Sequence, residues 1–248
     1  MATTIANTAQ TERHIVRYYV WELPVRLVHW IIFLTITVLS VTGYYIHNPY
    51  LIAHGSGAYV MGTMRAIHLS AGFIFLAALL LRLYWFFAGN QFARWRAFLP
   101  LTRTQRKNLK ETIRYYALLR YSPPLTIGHN MLAAPVYALI YILCAVEGVT
   151  GLVMYNAQLK APFLNTIVGW IPEVVNIQTL RSIHFFLMFA FWAFLVHHLY
   201  SAVLTAMHER DGLMDSIFTG NKSVSSHLLE ETSLDLLEQE KKVDASDR

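Results

Sequence analysis

Cysteine is almost absent: the 248-residue chain has one, Cys144, set inside an apolar run. A single thiol excludes an internal disulfide, a cysteine-ligated iron–sulfur cluster and covalent haem attachment through a Cys-x-x-Cys-His segment. Charge is scarce too. Charged residues make up 14% of the chain against 55% hydrophobic, and they fall in blocks between apolar runs. The first 24 residues are polar and lack an apolar core followed by a small-residue cleavage site. No cleavable signal peptide is expected, so the first apolar run directs insertion.

What the chain does have is long hydrophobic runs. Runs of roughly 20 nearly uncharged residues match the length a helix needs to cross a hydrocarbon core of about 30 Å. Four are expected, over about Val25 to Ile46, Met64 to Phe87, Met131 to Tyr155 and Ser182 to Leu204. The fold class is therefore all-α, an integral membrane four-helix bundle. The chain divides into an N-terminal segment over 1–24, the four-helix domain over 25–204 and a C-terminal tail over 205–248.

The formal charge of +5 does not point to nucleic acid, because the basic residues flank the apolar runs. Between runs two and three lie Arg94, Arg96, Arg103, Arg106, Lys107, Lys110, Arg114 and Arg120, against the single acid Glu111. By the positive-inside rule that loop is cytoplasmic, and four spans then put both termini there as well. Arg13, Arg17 and Arg26 agree. The other loops, about His47 to Thr63 and Asn156 to Arg181, carry with their adjoining span edges only Arg65, Lys160 and Arg181. The second holds Pro162, Phe163, Ile167, Val168, Trp170 and Ile171, which suits a capping loop or a short surface helix. From Lys222 the tail is rich in Glu, Asp, Ser and Lys, as in a solvated extension. Its Leu228, Leu229, Leu234, Leu236 and Leu237 also permit a short amphipathic helix.

An ionisable side chain inside a span is costly and turns toward the bundle interior, which makes each one a functional candidate. Four histidines qualify. His29 and His198 sit near the inner ends of spans one and four, and His68 and His184 near the outer ends of spans two and four. His184 and His198 are 14 residues apart, which is about 21 Å along a helix and about 40° around it. His197 would turn about 140° away from His184, so helical phase favours His198. Neutral imidazole is a good axial ligand for haem iron, and bundle interiors assemble cofactor sites from facing helices. Two six-coordinate haems are expected, one on His68 and His184, the other on His29 and His198. With no open position on the iron, such haems suit electron transfer.

Arg26, Arg65 and Arg181 each precede a candidate ligand by three residues. That spacing puts each on nearly the same helix face, one turn closer to the membrane surface. There a guanidinium can hold a haem propionate or act as an ordinary interfacial anchor. Gly43, Gly72 and Gly151 allow close approach of a helix or a porphyrin, with helix packing the plainer reading. Glu147 leaves open proton movement, a quinone contact, or an acid bonded within the bundle. His47, His54 and His129 lie at or beyond the span boundaries and are not expected to be ligands.

Taken together, "WELPVRLVHW", "VTGYYI", "MRAIHLSAGF" running into "LRLYWFFAGNQFARW", "IGHN", "IHFF" and "HHLY" resemble the cytochrome b subunit of membrane-bound uptake nickel–iron hydrogenases. The resemblance covers about Tyr19 to Asp215. It implies a four-helix cytochrome with two haem b groups, ligated by His29, His68, His184 and His198. It also implies electrons received from the iron–sulfur clusters of a hydrogenase small subunit, itself bound to the nickel–iron large subunit, and passed to quinone. The setting implied is the lipid of a bacterial inner membrane, and hydrogen splitting belongs to the partner subunits. The chain differs in having His197 beside His198 and in its acidic tail. Three other readings stay open: the cytochrome subunit of a formate dehydrogenase or another respiratory oxidoreductase, a structural anchor without electron transfer, and a self-sufficient haem oxidase of the small cytochrome b561 type.

Overall fold

The computed structural model describes residues 15–50, 59–121, 124, 126–209 and 212–225. Among them, four helices are long and apolar enough to cross a membrane. They are α1 (Leu23–His47), α2 (Val60–Ala88), α4 (Ala133–Leu159) and α7 (Ile177–Glu209). Helices α1, α2 and α7 enclose the expected spans, whereas α4 starts two residues later than expected, at Ala133, and runs on to Leu159.

Hydroxyl side chains inside α1 satisfy themselves locally, as suits a water-free setting. The hydroxyls of Thr35, Ser40 and Thr42 each donate to the carbonyl four residues back, at 2.7 Å. Lys160 adopts a left-handed conformation (φ 49°) that ends α4. Two short helices follow, α5 (Pro162–Val168) and α6 (Ile171–Val174), in the apolar loop that suited either a capping loop or a short surface helix. The basic loop contains a helix as well, α3 (Arg103–Tyr116). It opens with a capping box in which Gln105 N–H donates to Thr102 Oγ1, and the Gln105 side chain accepts from Thr102 N–H.

Helix α1 packs chiefly on α2, and α4 chiefly on α7. Phe75, Cys144 and Phe191 form a buried layer at the middle of the bundle, with Ile36, Leu39, Leu143 and Leu187 against it. Outward, Leu80, Phe87, Ile142, Phe186 and Val196 are exposed. So much exposed apolar surface would be a liability in water and is ordinary against lipid tails.

One end of the bundle carries a cap that the sequence did not announce. Strand β1 (Ile15–Tyr19) pairs antiparallel with β2 (Asn221–Ser225), and between them α8 (Leu213–Thr219) returns the chain to α1. Trp21 Nε1 donates to Ser216 Oγ at 3.1 Å. Glu22 Oε2 accepts from Trp85 Nε1 and from Asn90 N–H. Lys222 Nζ reaches the Thr126 carbonyl at 2.9 Å and is buried, although the sequence suggested a solvated segment from this residue onward. Leu228, Leu229, Leu234, Leu236 and Leu237, like Arg13 and His54, lie outside the described residues. We call this end of the bundle the sheet end and the opposite one the loop end.

Candidate functional site

The bundle brings the four candidate histidines together as two pairs at two levels. At the loop end, His68 of α2 faces His184 of α7 with ring centroids 6.3 Å apart. At the sheet end, His29 of α1 faces His198 of α7 at 6.4 Å. A metal–imidazole bond is roughly 2.0–2.1 Å long, and adding about 1.1 Å from nitrogen to ring centre on each side puts the two centroids roughly 6.3 Å apart. Both gaps therefore suit one metal ion held axially by two imidazoles. Among the described residues no group of three or more His, Cys, Asp or Glu side chains converges on a metal position. A metal held by such a pair would take its other ligands from a bound group, such as the four nitrogens of a haem macrocycle.

The loop-end rings are fixed by hydroxyls. Thr42 Oγ1 donates to the Val38 carbonyl at 2.7 Å and Thr150 Oγ1 to the Val146 carbonyl at 2.9 Å. Each hydroxyl has only one proton, so toward the histidines both are acceptors. His68 Nδ1–H donates to Thr42 Oγ1 at 2.9 Å, and His184 Nδ1–H to Thr150 Oγ1 at 3.0 Å. This assigns the proton to Nδ1 and leaves the Nε2 lone pair for a metal. The next residue in each helix is a glycine lying against the same ring. A Cβ on Gly43 would sit 3.1 Å from His68 Cε1, and one on Gly151 3.3 Å from His184 Cε1. Gly72 has only an ordinary contact with Leu39, at 3.9 Å. Glu147 Oε1 lies 3.3 Å from His184 Nδ1, while its Oε2 is buried without a partner among the described residues.

The sheet-end pair is held by rings instead. Phe194 stacks on His198 at 5.3 Å, Tyr137 meets it edge-on at 5.6 Å, and Trp30 meets His29 edge-on at 5.2 Å. The Nδ1 atoms of His29 and His198 are buried with no hydrogen-bond partner among the described residues. His197 is exposed, so it is His198 that faces His29.

The three arginines differ in their surroundings. Arg26 donates to the Phe218 carbonyl through Nη1, and its Nε is buried without a partner among the described residues. Arg65 and Arg181 are exposed at the loop end, where Arg181 Nη1 donates to Gln178 Oε1 at 3.0 Å. Away from both pairs, His47 stacks on Phe185 at 3.9 Å. His129 is wedged among Trp21, Phe98 and Tyr137. Burial, together with the Arg82 and Lys222 charges, pushes the His129 imidazole down to about 3.

Sequence reasoning passed over Arg82, Thr42 and Thr150. Arg82 is fully buried in α2, donating to Tyr141 Oη and the Ala93 carbonyl with the Phe86 ring 4.3 Å away. The threonines had a signal: "VTG" occurs at 41–43 and again at 149–151. The facing helices repeat as well, with "TMRAIHLSAGFIFLAALLLRLY" over 63–84 and "TLRSIHFFLMFAFWAFLVHHLY" over 179–200. The pair α1–α2 is thus echoed by α4–α7, and the loop-end histidines occupy equivalent positions in the two halves.

Four membrane-length helices with histidines paired across the interior define a multi-pass membrane protein of the cytochrome class. The chain matches the family model for prokaryotic cytochrome b561 over residues 20–220, and it belongs to that family. It is 31% identical over 221 residues to the probable Ni/Fe-hydrogenase 1 B-type cytochrome subunit of Escherichia coli (strain K12), covering 86% of this chain and 94% of that one. The probable Ni/Fe-hydrogenase B-type cytochrome subunit of Bradyrhizobium diazoefficiens is 33% identical over 226 residues, covering 88% and 92%. Its counterpart in Azotobacter vinelandii is 34% identical over 208 residues, covering 82% and 87%.

Proposed function

We propose that this chain is the dihaem b-type cytochrome subunit of a nickel–iron hydrogenase. It takes electrons from the iron–sulfur clusters of the hydrogenase small subunit at the loop end and passes them to quinone at the sheet end. The observation that carries the reading is the spacing of the two histidine pairs, 6.3 and 6.4 Å between ring centroids. The relatives, probable Ni/Fe-hydrogenase B-type cytochrome subunits, favour a hydrogenase over a formate dehydrogenase partner.

A haem bound between each pair of imidazoles would supply a one-electron iron couple. The protein's own groups do the rest. His68 and His184 present Nε2 at the loop end because Thr42 and Thr150 hold their Nδ1–H groups, and His29 and His198 hold the second haem. Arg65 and Arg181 are placed for propionates at the loop end and Arg26 at the sheet end. The Phe75, Cys144 and Phe191 layer keeps water from the interval between the levels. The basic segment from Arg94 to Arg120 faces the cytoplasm, which puts both termini there and the loop end outside the inner membrane.

Isolation of the intact complex in mild detergent tests this reading. Pyridine haemochrome assay should give two haems per chain, and hydrogen should reduce them only while the hydrogenase subunits remain attached. A ratio near zero, or rapid reduction of the isolated chain by hydrogen, would sink it.

A further inference from the structure

The echo between the two halves makes one departure from it informative. At the loop end His68 and His184 correspond, as do Thr42 with Thr150 and Gly43 with Gly151. Four residues before each glycine the match fails: α1 has Leu39 and α4 has Glu147. The backbone carbonyls of both residues accept from the neighbouring threonine hydroxyl, at 3.3 and 3.0 Å, so the helix does the same thing at both places. Only the side chains differ. Leu39 packs on the mid-bundle layer. Glu147 puts a carboxylate 3.3 Å from the Nδ1 of a candidate ligand and buries its other oxygen without a partner among the described residues.

Leucine at the equivalent position shows that packing here does not call for an acid, and a buried carboxylate is costly unless something offsets it. A carboxylate beside the outer nitrogen of a metal-bound imidazole raises the basicity of the ligand. A more basic ligand favours the more positive metal. Beside a bound ferric haem, whose opposite charge would offset the cost of burying it, an ionised Glu147 would act at short range in a medium of low dielectric constant.

We propose that Glu147 is a positioning residue for His184. Its Oε1 stands 3.3 Å from the Nδ1 whose proton Thr150 accepts, and the pair makes His184 a more strongly donating ligand than His68. Glu147 thereby stabilises the ferric form of the loop-end haem and lowers its potential. The couple is one electron, ferric to ferrous, and no bond to Glu147 forms or breaks. This rests on the proposed ligation by His68 and His184.

The experiment is a redox titration of the intact complex, followed optically and by low-temperature electron paramagnetic resonance, for the parent protein and Glu147→Gln. The amide keeps the shape and removes the charge. The loop-end haem should become easier to reduce by about tenfold in its equilibrium, or about 59 mV for one electron. Its resonance should move, while the sheet-end haem changes far less. The double variant Glu147→Leu with Leu39→Glu moves the acid to the His68 side and should bring the potential back down. Unchanged potentials and spectra in Glu147→Gln would overturn the inference, and so would loss of the loop-end haem, which would make the carboxylate a structural requirement. Absence of that haem from the parent protein would instead overturn the ligation on which the inference rests.

Discussion

The two histidine levels hold nearly the same gap by different means. At the loop end, equivalent positions of a repeated helix pair supply both rings, each with a threonine acceptor and a glycine beneath it. At the sheet end, the partners come from non-equivalent positions, α1 and α7, and aromatic rings take the place of hydroxyls. The positions that would complete a symmetric arrangement there are Tyr137, which matches His29, and Arg82, which matches His198. Arg82 is sealed by Phe86, Phe98 and Tyr141. A repeat can thus fix one site on its symmetry and leave the other to substitutions that break it.

The largest effect should come from removing a ligand at the level where the symmetry is broken. His198→Ala is expected to lose the sheet-end haem and quinone reduction, bringing the haem ratio from two to one, while hydrogen still reduces the loop-end haem. His197→Ala, whose ring is exposed, should keep both haems. The reverse result would mean that the neighbouring histidine is the ligand.

A smaller effect should distinguish the two halves of the loop-end site. Thr42→Val keeps the side-chain shape and leaves the His68 Nδ1–H with only the Leu39 backbone carbonyl nearby, at a cost of about 1–3 kcal/mol. Thr150→Val leaves the His184 Nδ1–H with Glu147 Oε1 still 3.3 Å away, so its cost should be well below that of Thr42→Val. Haem retention during thermal challenge compares them. Equal losses would mean that the carboxylate does not act as the second acceptor.

The smallest effect concerns pH and the cap. His129 has a folded-state pKa of about 3 against an ordinary value of 6.5. Between those values the unfolded chain binds the proton and the folded one does not. Stability is therefore complete above 6.5 and falls as pH drops toward 3. Lowering the pH from 7 to 5.5 should cost the parent protein about 1 kcal/mol more than His129→Gln, measured as the difference in thermal stability. No difference between the two proteins would place the acid sensitivity elsewhere.

Much of this architecture was legible in the residues. A membrane fixes the length of a span and penalises ionisable groups inside it, so the four helices and their histidines stood out one segment at a time. Helical phase was enough to prefer His198 over His197. The sheet-end cap was different. Its β1–β2 pairing joins residues 15–19 to 221–225, and Lys222 finds Thr126; such contacts leave no local period to read.

The sequence by itself determined the number of spans, the two levels of histidine and the helix face on which each lies, because these follow from hydrophobic length and helical geometry. Only the tertiary structure decided how far apart the paired rings stand, that Thr42 and Thr150 accept from them, that Arg82 is buried at the position matching His198, and that Glu147 reaches His184. Each of these depends on which helix becomes a neighbour, and at what height. The packing of α1 on α2 and α4 on α7 sets both.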